Sequence, residues 1–222
     1  TAEDDSRKGL RHYFLRVPIR KKDDYLRRLT HIEDFHGLIF FNQLTELGVM
    51  EEKLLYRGVP VGSLASDQNK LLRKAALEQF KKKMVRALLT TDVAARGLDI
   101  TGLPYVVNAE VPLSEEAYLH RSGRTGRMGN EGIVITLVQD NNLRDLKRLL
   151  RPSNITLEEI FLYGGKLQTE QPTKEDAAPA VNKKYAKTFS GKEQNPEYNK
   201  EKIRKKVKNK SKKERNKGAR RK

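Results

Sequence analysis

Short apolar runs alternate with longer amphipathic stretches through most of the chain. Six runs have the length and composition of β-strands, at residues 12–17, 37–41, 60–64, 85–90, 105–109 and 132–138. Several of them are apolar throughout, which is typical of parallel strands that are covered on both faces. The intervening segments predict helices near residues 22–34, 44–57, 67–82, 114–122 and 141–150. This alternation predicts an α/β fold, in which a parallel sheet carries helices on both faces.

The stretch at 67–82 illustrates the helical pattern. Asp67 is a candidate cap for its N-terminus. Its apolar residues include positions at helical spacing and are Leu71, Leu72, Ala75, Leu77 and Phe80. In an open parallel sheet, ligands bind in the loops beyond the carboxyl ends of the strands. We therefore expect the functional residues in segments that directly follow predicted strands.

The end of the chain has a different composition. Regular structure is expected to fade after about Leu162, where Gly164 and Gly165 precede a polar region. The net charge of the whole chain is +17, and residues 183–222 contain 18 Lys or Arg against 4 Asp or Glu. The preceding 182 residues are nearly neutral, with 28 Lys or Arg against 25 Asp or Glu. A segment so basic cannot bury enough apolar surface to fold alone.

We therefore predict a domain over residues 1–165 and a flexible, disordered, strongly basic extension over residues 166–222. Such a tail typically binds nucleic acid or another polyanion. Cations that neutralise phosphates release counterions, so the tethering of nucleic acid by this tail would depend strongly on salt concentration. The alternative is a tail that serves solubility or localisation.

Composition also excludes several classes of protein. The sequence contains no cysteine, which excludes disulfides and thiolate metal sites and predicts a reducing compartment, the cytoplasm. No apolar run approaches the roughly 20 residues that span a membrane, and no signal peptide is visible. No set of metal ligands is predicted. Because the first residue is Thr1 rather than methionine, we expect a piece of a longer polypeptide.

Residues 120–129 read HRSGRTGRMG, in which arginine and glycine each recur every three residues. Glycine inside an ordinary helix costs about 1 kcal/mol relative to alanine, so the stretch is not designed only to pack. Arg121, Arg124 and Arg127 offer planar forks that suit phosphate groups. From these residues alone, a solvated loop whose arginines pair with surface acids remains an equal alternative.

The neighbouring stretch TTDVAARGLDI (90–100) follows a predicted strand and, read with HRSGRTGR, resembles motifs V and VI of DEAD-box RNA helicases. Three more segments agree in order and spacing, namely LIFFNQ (38–43), LASDQNKLLRKAALEQF (64–80) and VVNAEVP (106–112). The resemblance covers roughly residues 10–160. The chain lacks the phosphate loop, the DEAD tetrapeptide and the SAT segment of the family. It therefore resembles the second RecA-like domain followed by a C-terminal extension.

The resemblance implies a role for each nucleotide-side residue. Arg124 and Arg127 match the arginine fingers, which stabilise charge on the transferring phosphoryl group. His120 and Arg121 match positions that contact the partner domain and couple closure to chemistry. Asp99 matches the carboxylate that binds the ATP ribose, although taken alone it could be a turn or capping residue. ATP with Mg²⁺ would be bound mainly by an N-terminal RecA-like domain, so this chain alone should not hydrolyse ATP.

The resemblance also implies RNA contacts. They fall on Asp67, Arg73, Thr91 and Gly97, whose groups would hold phosphate and sugar without reading sequence. Locally, Arg73 could instead pair with Asp67 or Glu78. Four segments depart from the family pattern: Asn42-Gln43 replaces Asn-Thr, Ala65-Ser66-Asp67 replaces His-Gly-Asp, Lys70 replaces Gln, and Asn108-Ala109-Glu110 replaces Asn-Tyr-Asp.

These observations lead to the hypothesis of an ATP-dependent RNA helicase that unwinds or remodels short structured duplexes. Its substrate class would be structured RNA, with ribosomal precursors or ribonucleoprotein as candidates. A non-catalytic RNA-binding or annealing protein with the same fold is the first alternative. A DNA-directed translocase of the same superfamily is the second, and His120 argues against it.

Overall fold

A seven-stranded parallel sheet forms the centre of the molecule. The structure, a computed structural model, describes residues 9–64, 70–126 and 131–173. The order across the sheet is β3-β4-β2-β5-β6-β1-β7, and every pairing is parallel. The strands are β1 Leu10–Arg16, β2 Gly37–Phe41, β3 Val61–Ser63, β4 Ala87–Thr91, β5 Tyr105–Asn108, β6 Gly132–Val138 and β7 Glu158–Glu159.

Helices connect the strands and cover the sheet. A 3₁₀ turn at Ile19–Lys21 precedes the first of them. They are α1 Lys22–Thr30, α2 Leu44–Tyr56, α3 Lys70–Lys81, α4 Asp92–Ala95, α5 Glu115–Ser122 and α6 Leu143–Leu150. Within the described ranges, no helix is both long and apolar enough to cross a bilayer.

The sheet is buried on both faces, as the apolar strands predict. Alternate side chains of β2 enter different cores, with Ile39 and Phe41 on one face and Leu38 and Phe40 on the other. The first core contains residues of α1 and α2, namely Leu26, Leu29, Leu47, Met50 and Leu54. The second contains residues of the remaining helices, among them Phe80, Ala94, Tyr118, Leu146 and Leu150. The predicted α/β architecture with helices on both faces is confirmed.

Two predictions about element ends are wrong. The helix expected over 22–34 ends at Thr30, because the next hydrogen bonds, from His31 to Arg28 and from Ile32 to Leu29, span three residues instead of four. Asp34 then adopts φ of +59°, a turn conformation that aspartate tolerates better than most residues.

Regular structure also continues past Leu162. Before that residue, strand β7 adds to the edge of the sheet beside β1. An antiparallel hairpin of β8 Phe161–Tyr163 and β9 Lys166–Gln168 follows, turning at Gly164 and Gly165, which both have positive φ. The predicted basic extension lies almost entirely beyond residue 173 and therefore outside the described residues.

Gly37 is expected to tolerate no side chain. A Cβ atom there would lie 2.3 Å from the carbonyl oxygen of Tyr105 in the neighbouring strand. We expect Gly37→Ala to lower the free energy of unfolding by about 2 kcal/mol, because neither backbone can move away freely. Gly48 in α2 is the matched control, since a Cβ there meets nothing within 4 Å.

Gly48→Ala should leave stability unchanged or raise it by up to about 1 kcal/mol, because alanine is the better helix former. Urea denaturation followed by circular dichroism measures both changes. Equal midpoints for Gly37→Ala and wild type would show that β2 and β5 separate at little cost.

Candidate functional site

A buried arginine joins the carboxyl ends of three strands. Arg121, on the last turn of α5, is only 1% exposed. Its Nε and Nη2 donate to the two carboxylate oxygens of Asp92 at 2.8 and 2.6 Å. Its Nη1 donates to Asn108 Oδ1 at 3.2 Å, and Nη2 also donates to Asn42 Oδ1 at 2.9 Å. The guanidinium therefore links the residues that end β5, follow β2 and follow β4.

This environment compensates the buried charge. Asp92 supplies the opposite charge in a bidentate pair, the strongest common geometry for an arginine. The guanidinium carbon also lies 5.2 Å from the centre of the Phe40 ring. All four hydrogen bonds that the described residues give Arg121 are internal to this domain. The interdomain role that the resemblance implies for Arg121 stays a prediction, and any such role would act through these partners.

Asn42 is itself fixed from several sides. Its backbone N–H donates to Glu110 Oε2 at 3.0 Å, and its Nδ2 donates to the Val111 carbonyl oxygen at 2.9 Å. The other oxygen of Glu110 lies 3.3 Å from Lys22 Nζ at the start of α1. These contacts leave the amide oxygen of Asn42 facing Arg121. Asn42 and Asn108, which match the family pattern, and Glu110, which departs from it, therefore belong to one connected network.

Arg124 lies beside the loop that carries Asp99. Its Nη1 donates to the Leu98 carbonyl oxygen at 2.8 Å, a bond that uses one of the five donors of a guanidinium. The backbone of the same loop is tied down, because Leu103 N–H donates to the Arg124 carbonyl oxygen at 3.2 Å. Arg124 is half-buried, and Asp99 is exposed. The structure thus brings together two of the predicted nucleotide-side residues.

The described RNA-side candidates meet at α4. Thr91 caps this four-residue helix, and its hydroxyl accepts from the Ala94 N–H at 3.3 Å. Arg73, on α3, donates to the Ala94 carbonyl oxygen at 2.5 Å. Gly97 follows in an exposed position with φ of +72°, which glycine adopts without strain. Arg73 thus anchors to α4, and its suggested partner Asp67 lies outside the described residues.

A second polar pair holds α5 against β1. His12 Nδ1 lies 2.8 Å from the hydroxyl oxygen of Tyr118, one turn before Arg121. Burial lowers the pKa of His12 to about 4, so the imidazole is neutral at neutral pH. Burial also raises the pKa of the Tyr118 phenol, which stays protonated. The helix that precedes Arg124 is therefore fixed through the buried side chains of Tyr118 and Arg121.

Of the other three predicted site residues, only His120 lies within the described ranges. His120 is exposed on α5, directly before the buried Arg121. Arg127 and Asp67 lie outside the described residues, so their roles stay predictions. Among the residues that the structure describes, no group of three or more His, Asp or Glu side chains could hold a metal ion.

Sequence reasoning missed the network partners of Arg121. Asp92, Asn42, Asn108 and Glu110 were visible as polar residues directly after apolar strands, and this position was the available signal. No local sequence pattern indicates that these residues converge on one side chain. They are distant in sequence and are brought together only by the order of the strands in the sheet.

The fold and these loops define a RecA-like helicase domain. Comparisons with known proteins lead to the same class. Residues 21–129 match the family described as "Helicase conserved C-terminal domain". The chain is 40% identical over 161 residues to the probable ATP-dependent RNA helicase YfmL of Bacillus subtilis, covering 72% of this chain and 43% of that protein. It is 34% identical over 188 residues to the DEAD-box ATP-dependent RNA helicase CshC of Bacillus cereus, covering 85% of this chain and 46% of that protein.

A solved structure narrows the match to one domain. The C-terminal domain of the DEAD-box protein Dbp5 is 27% identical, with a TM-score of 0.61 over 68% of this chain and 89% of that domain. The chain therefore belongs to the DEAD-box RNA helicases and represents their C-terminal RecA-like domain. It spans less than half the length of the two bacterial relatives.

Proposed function

We propose that this chain is the second RecA-like domain of an ATP-dependent RNA helicase that unwinds or remodels short structured duplexes. The observation that carries the proposal is the position of Arg124. Its guanidinium is held at the backbone carbonyl of Leu98, directly before the exposed carboxylate of Asp99. Two neighbouring loops thus present the guanidinium of Arg124, which can bind phosphate, and the carboxylate of Asp99, which can accept from hydroxyl groups.

The residues present fit one side of a bound nucleotide. Asp99 can accept hydrogen bonds from the ribose hydroxyls, and Arg124 can place positive charge where charge develops during phosphoryl transfer. Arg127 would supply a second guanidinium from the same loop. The chain has no phosphate loop of its own. ATP with Mg²⁺ would accordingly be bound mainly by an N-terminal RecA-like domain of the same polypeptide.

The RNA side is proposed to surround α4. Thr91, Gly97 and Arg73 converge on this short helix and offer hydroxyl, backbone and guanidinium groups to phosphate. Asp67 and the basic tail would add contacts from outside the described residues. Contacts of this kind give affinity without sequence selection. We propose cytoplasmic structured RNA as the substrate class, with ribosomal precursors or ribonucleoprotein as candidates.

Arg121 is proposed to couple the RNA side of the site at α4 to the nucleotide side at Arg124. Asp92, its bidentate partner, is the first residue of α4, and Arg121 itself lies three residues before Arg124. A shift of α4 on RNA binding would therefore be transmitted to the arginine loop through a short chain of hydrogen bonds. Arg121 is in this sense a positioning residue, whereas Arg124 contacts the reacting group.

The test is ATP hydrolysis by the complete polypeptide that carries this chain, measured with single-stranded RNA, with DNA of the same sequence and without nucleic acid. We expect RNA to stimulate turnover and DNA to leave it near the basal rate. Equal stimulation by DNA would favour the DNA-directed translocase. RNA binding without any turnover would favour the non-catalytic RNA-binding or annealing protein.

A further inference from the structure

Helix α3 ends in three consecutive lysines, Lys81, Lys82 and Lys83, which we call the lysine turn. The backbone of Lys83 is unusual. Lys83 N–H donates to the Phe80 carbonyl oxygen and Met84 N–H to the Gln79 carbonyl oxygen, both at 2.9 Å, which is the pattern of a helix-closing turn. Lys83 has φ of +55°. This position of the turn is usually glycine, because a side chain is strained there. Lys83 thus carries a side chain at a position where glycine would be less strained.

The turn is strongly positive and open to solvent. Lys81, Lys82 and Lys83 are all exposed, and among the described residues none of them forms an ion pair. His36 lies close by and stacks on Phe80 with ring centres 4.0 Å apart. Burial, and then the charges of Lys83 and Arg86, lower the pKa of His36. Lys83 thus lies close enough to His36 for its charge to oppose protonation of the imidazole.

Helix α3 connects this turn to the proposed RNA site. The helix has 12 residues and is therefore about 18 Å long. Arg73 near its start contacts α4 at the carboxyl edge of the sheet. Lys74 and Lys81 are exposed and seven residues apart, so they lie on one face of the helix, with the exposed Glu78 between them. Exposed cations thus lie near both ends of α3, and Glu78 is the one exposed acidic residue between Lys74 and Lys81.

We propose that Lys81, Lys82 and Lys83 bind the sugar–phosphate backbone of RNA that extends beyond the strand held at the carboxyl edge. The proposal rests on the function proposed above. Lysine is a point charge on a flexible stem, which suits phosphate held without sequence selection. Glycine at position 83 would relieve the strain of the turn but would remove one of three adjacent charges.

The test compares two triple variants of the 222-residue chain with equal loss of charge. One carries Lys81→Gln, Lys82→Gln and Lys83→Gln. The matched control carries three changes on the exposed face of α6, namely Arg144→Gln, Lys147→Gln and Arg148→Gln. Affinity is measured against salt concentration for single-stranded RNAs of about 8 and about 30 nucleotides, lengths on either side of one binding groove.

We expect the lysine-turn triple to reduce the slope of log affinity against log salt by about 2 for the longer RNA, since each phosphate contact contributes about 0.7. The slope for the shorter RNA and both slopes of the control should stay at wild-type values. Equal losses in the two triples would mean that only the overall field of the protein matters, and would overturn the proposal. Failure of the wild-type chain to bind either RNA would instead contradict the proposed function.

A single change separates binding from folding. Lys83→Gly should raise the melting temperature by about 2–4 °C, because it relieves the strain of the turn. The same change should lower the salt slope for the longer RNA by about 0.7. A more stable variant with unchanged RNA binding would show that Lys83 is a tolerated irregularity and not a contact.

Discussion

Replacing Arg124 by alanine is expected to lower RNA-stimulated ATP hydrolysis by the complete polypeptide about a thousandfold. An arginine that stabilises the transferring phosphoryl group is worth about 10³–10⁵ in rate, or roughly 4–7 kcal/mol of barrier. The backbone that presents Arg124 is fixed independently, through the Leu103 N–H bond to the Arg124 carbonyl oxygen and through buried Tyr118 and Arg121. Single-turnover hydrolysis at saturating RNA measures the effect.

The control for this experiment is Arg148→Ala on α6. Arg148 is 81% exposed and its ion pair with Asp145 is long, at 3.7 Å, so the rate should not change. Arg124→Lys should recover little, because lysine keeps the charge without the planar fork. RNA affinity measured without nucleotide should stay at the wild-type value for all three variants. Arg127→Ala is expected to behave as Arg124→Ala does, and rates unchanged by either alanine would remove these arginines from the mechanism.

Replacing Arg121 by alanine is expected to destabilise the domain by about 3 kcal/mol. The change removes four hydrogen bonds and leaves the buried Asn108 amide oxygen and the Asp92 carboxylate without their partner. Breaking a buried ion pair from one side costs about 3–5 kcal/mol, and the lower end applies because the Asp92 side chain is 38% exposed. The melting temperature of the chain should fall by about 6–12 °C.

Two further variants show that this loss comes from the hydrogen bonds. Arg121→Met keeps much of the buried volume over Phe40 and should be nearly as unstable as Arg121→Ala, because the polar partners stay unpaired. Arg144→Ala, on the exposed face of α6, should melt with the wild type. An Arg121→Met chain as stable as wild type would mean that packing, rather than the polar network, fixes the strand ends.

Much of the fold follows from the apolar runs alone. The apolar runs at 37–41 and 132–138 coincide with β2 and β6. A strand that is covered on both faces buries the side chains of both, so its sequence is apolar throughout. Strand β7 was not predictable, since Glu158 and Glu159 are acidic and pair only through backbone beside β1. The four residues of α4 were equally hidden, because a single turn is too short to show helical periodicity.

The site was predictable in its residue types and less so in its geometry. The Arg/Gly repeat and the TTDVAARGLDI stretch indicate phosphate chemistry, and Arg124 and Asp99 indeed lie in neighbouring loops. The burial of Arg121 was not predictable, because a charged residue at the end of a short helix is ordinarily solvated. It is buried only because strand order places Asp92, Asn108 and Asn42 around it.

Strand order also determines how long each strand waits for its neighbours while the chain is being synthesised. Among the strands of the sheet β1 is made first, yet its neighbours β6 and β7 come last, with Leu10 opposite Gly132. At about 5–20 residues per second, the ribosome needs about 6–24 s to make the intervening chain. Strands β2 to β5 pair only with one another up to that point and can assemble meanwhile. The apolar side chains of β1 thus wait longest for cover, and this first strand is where a nascent-chain chaperone has the most to protect.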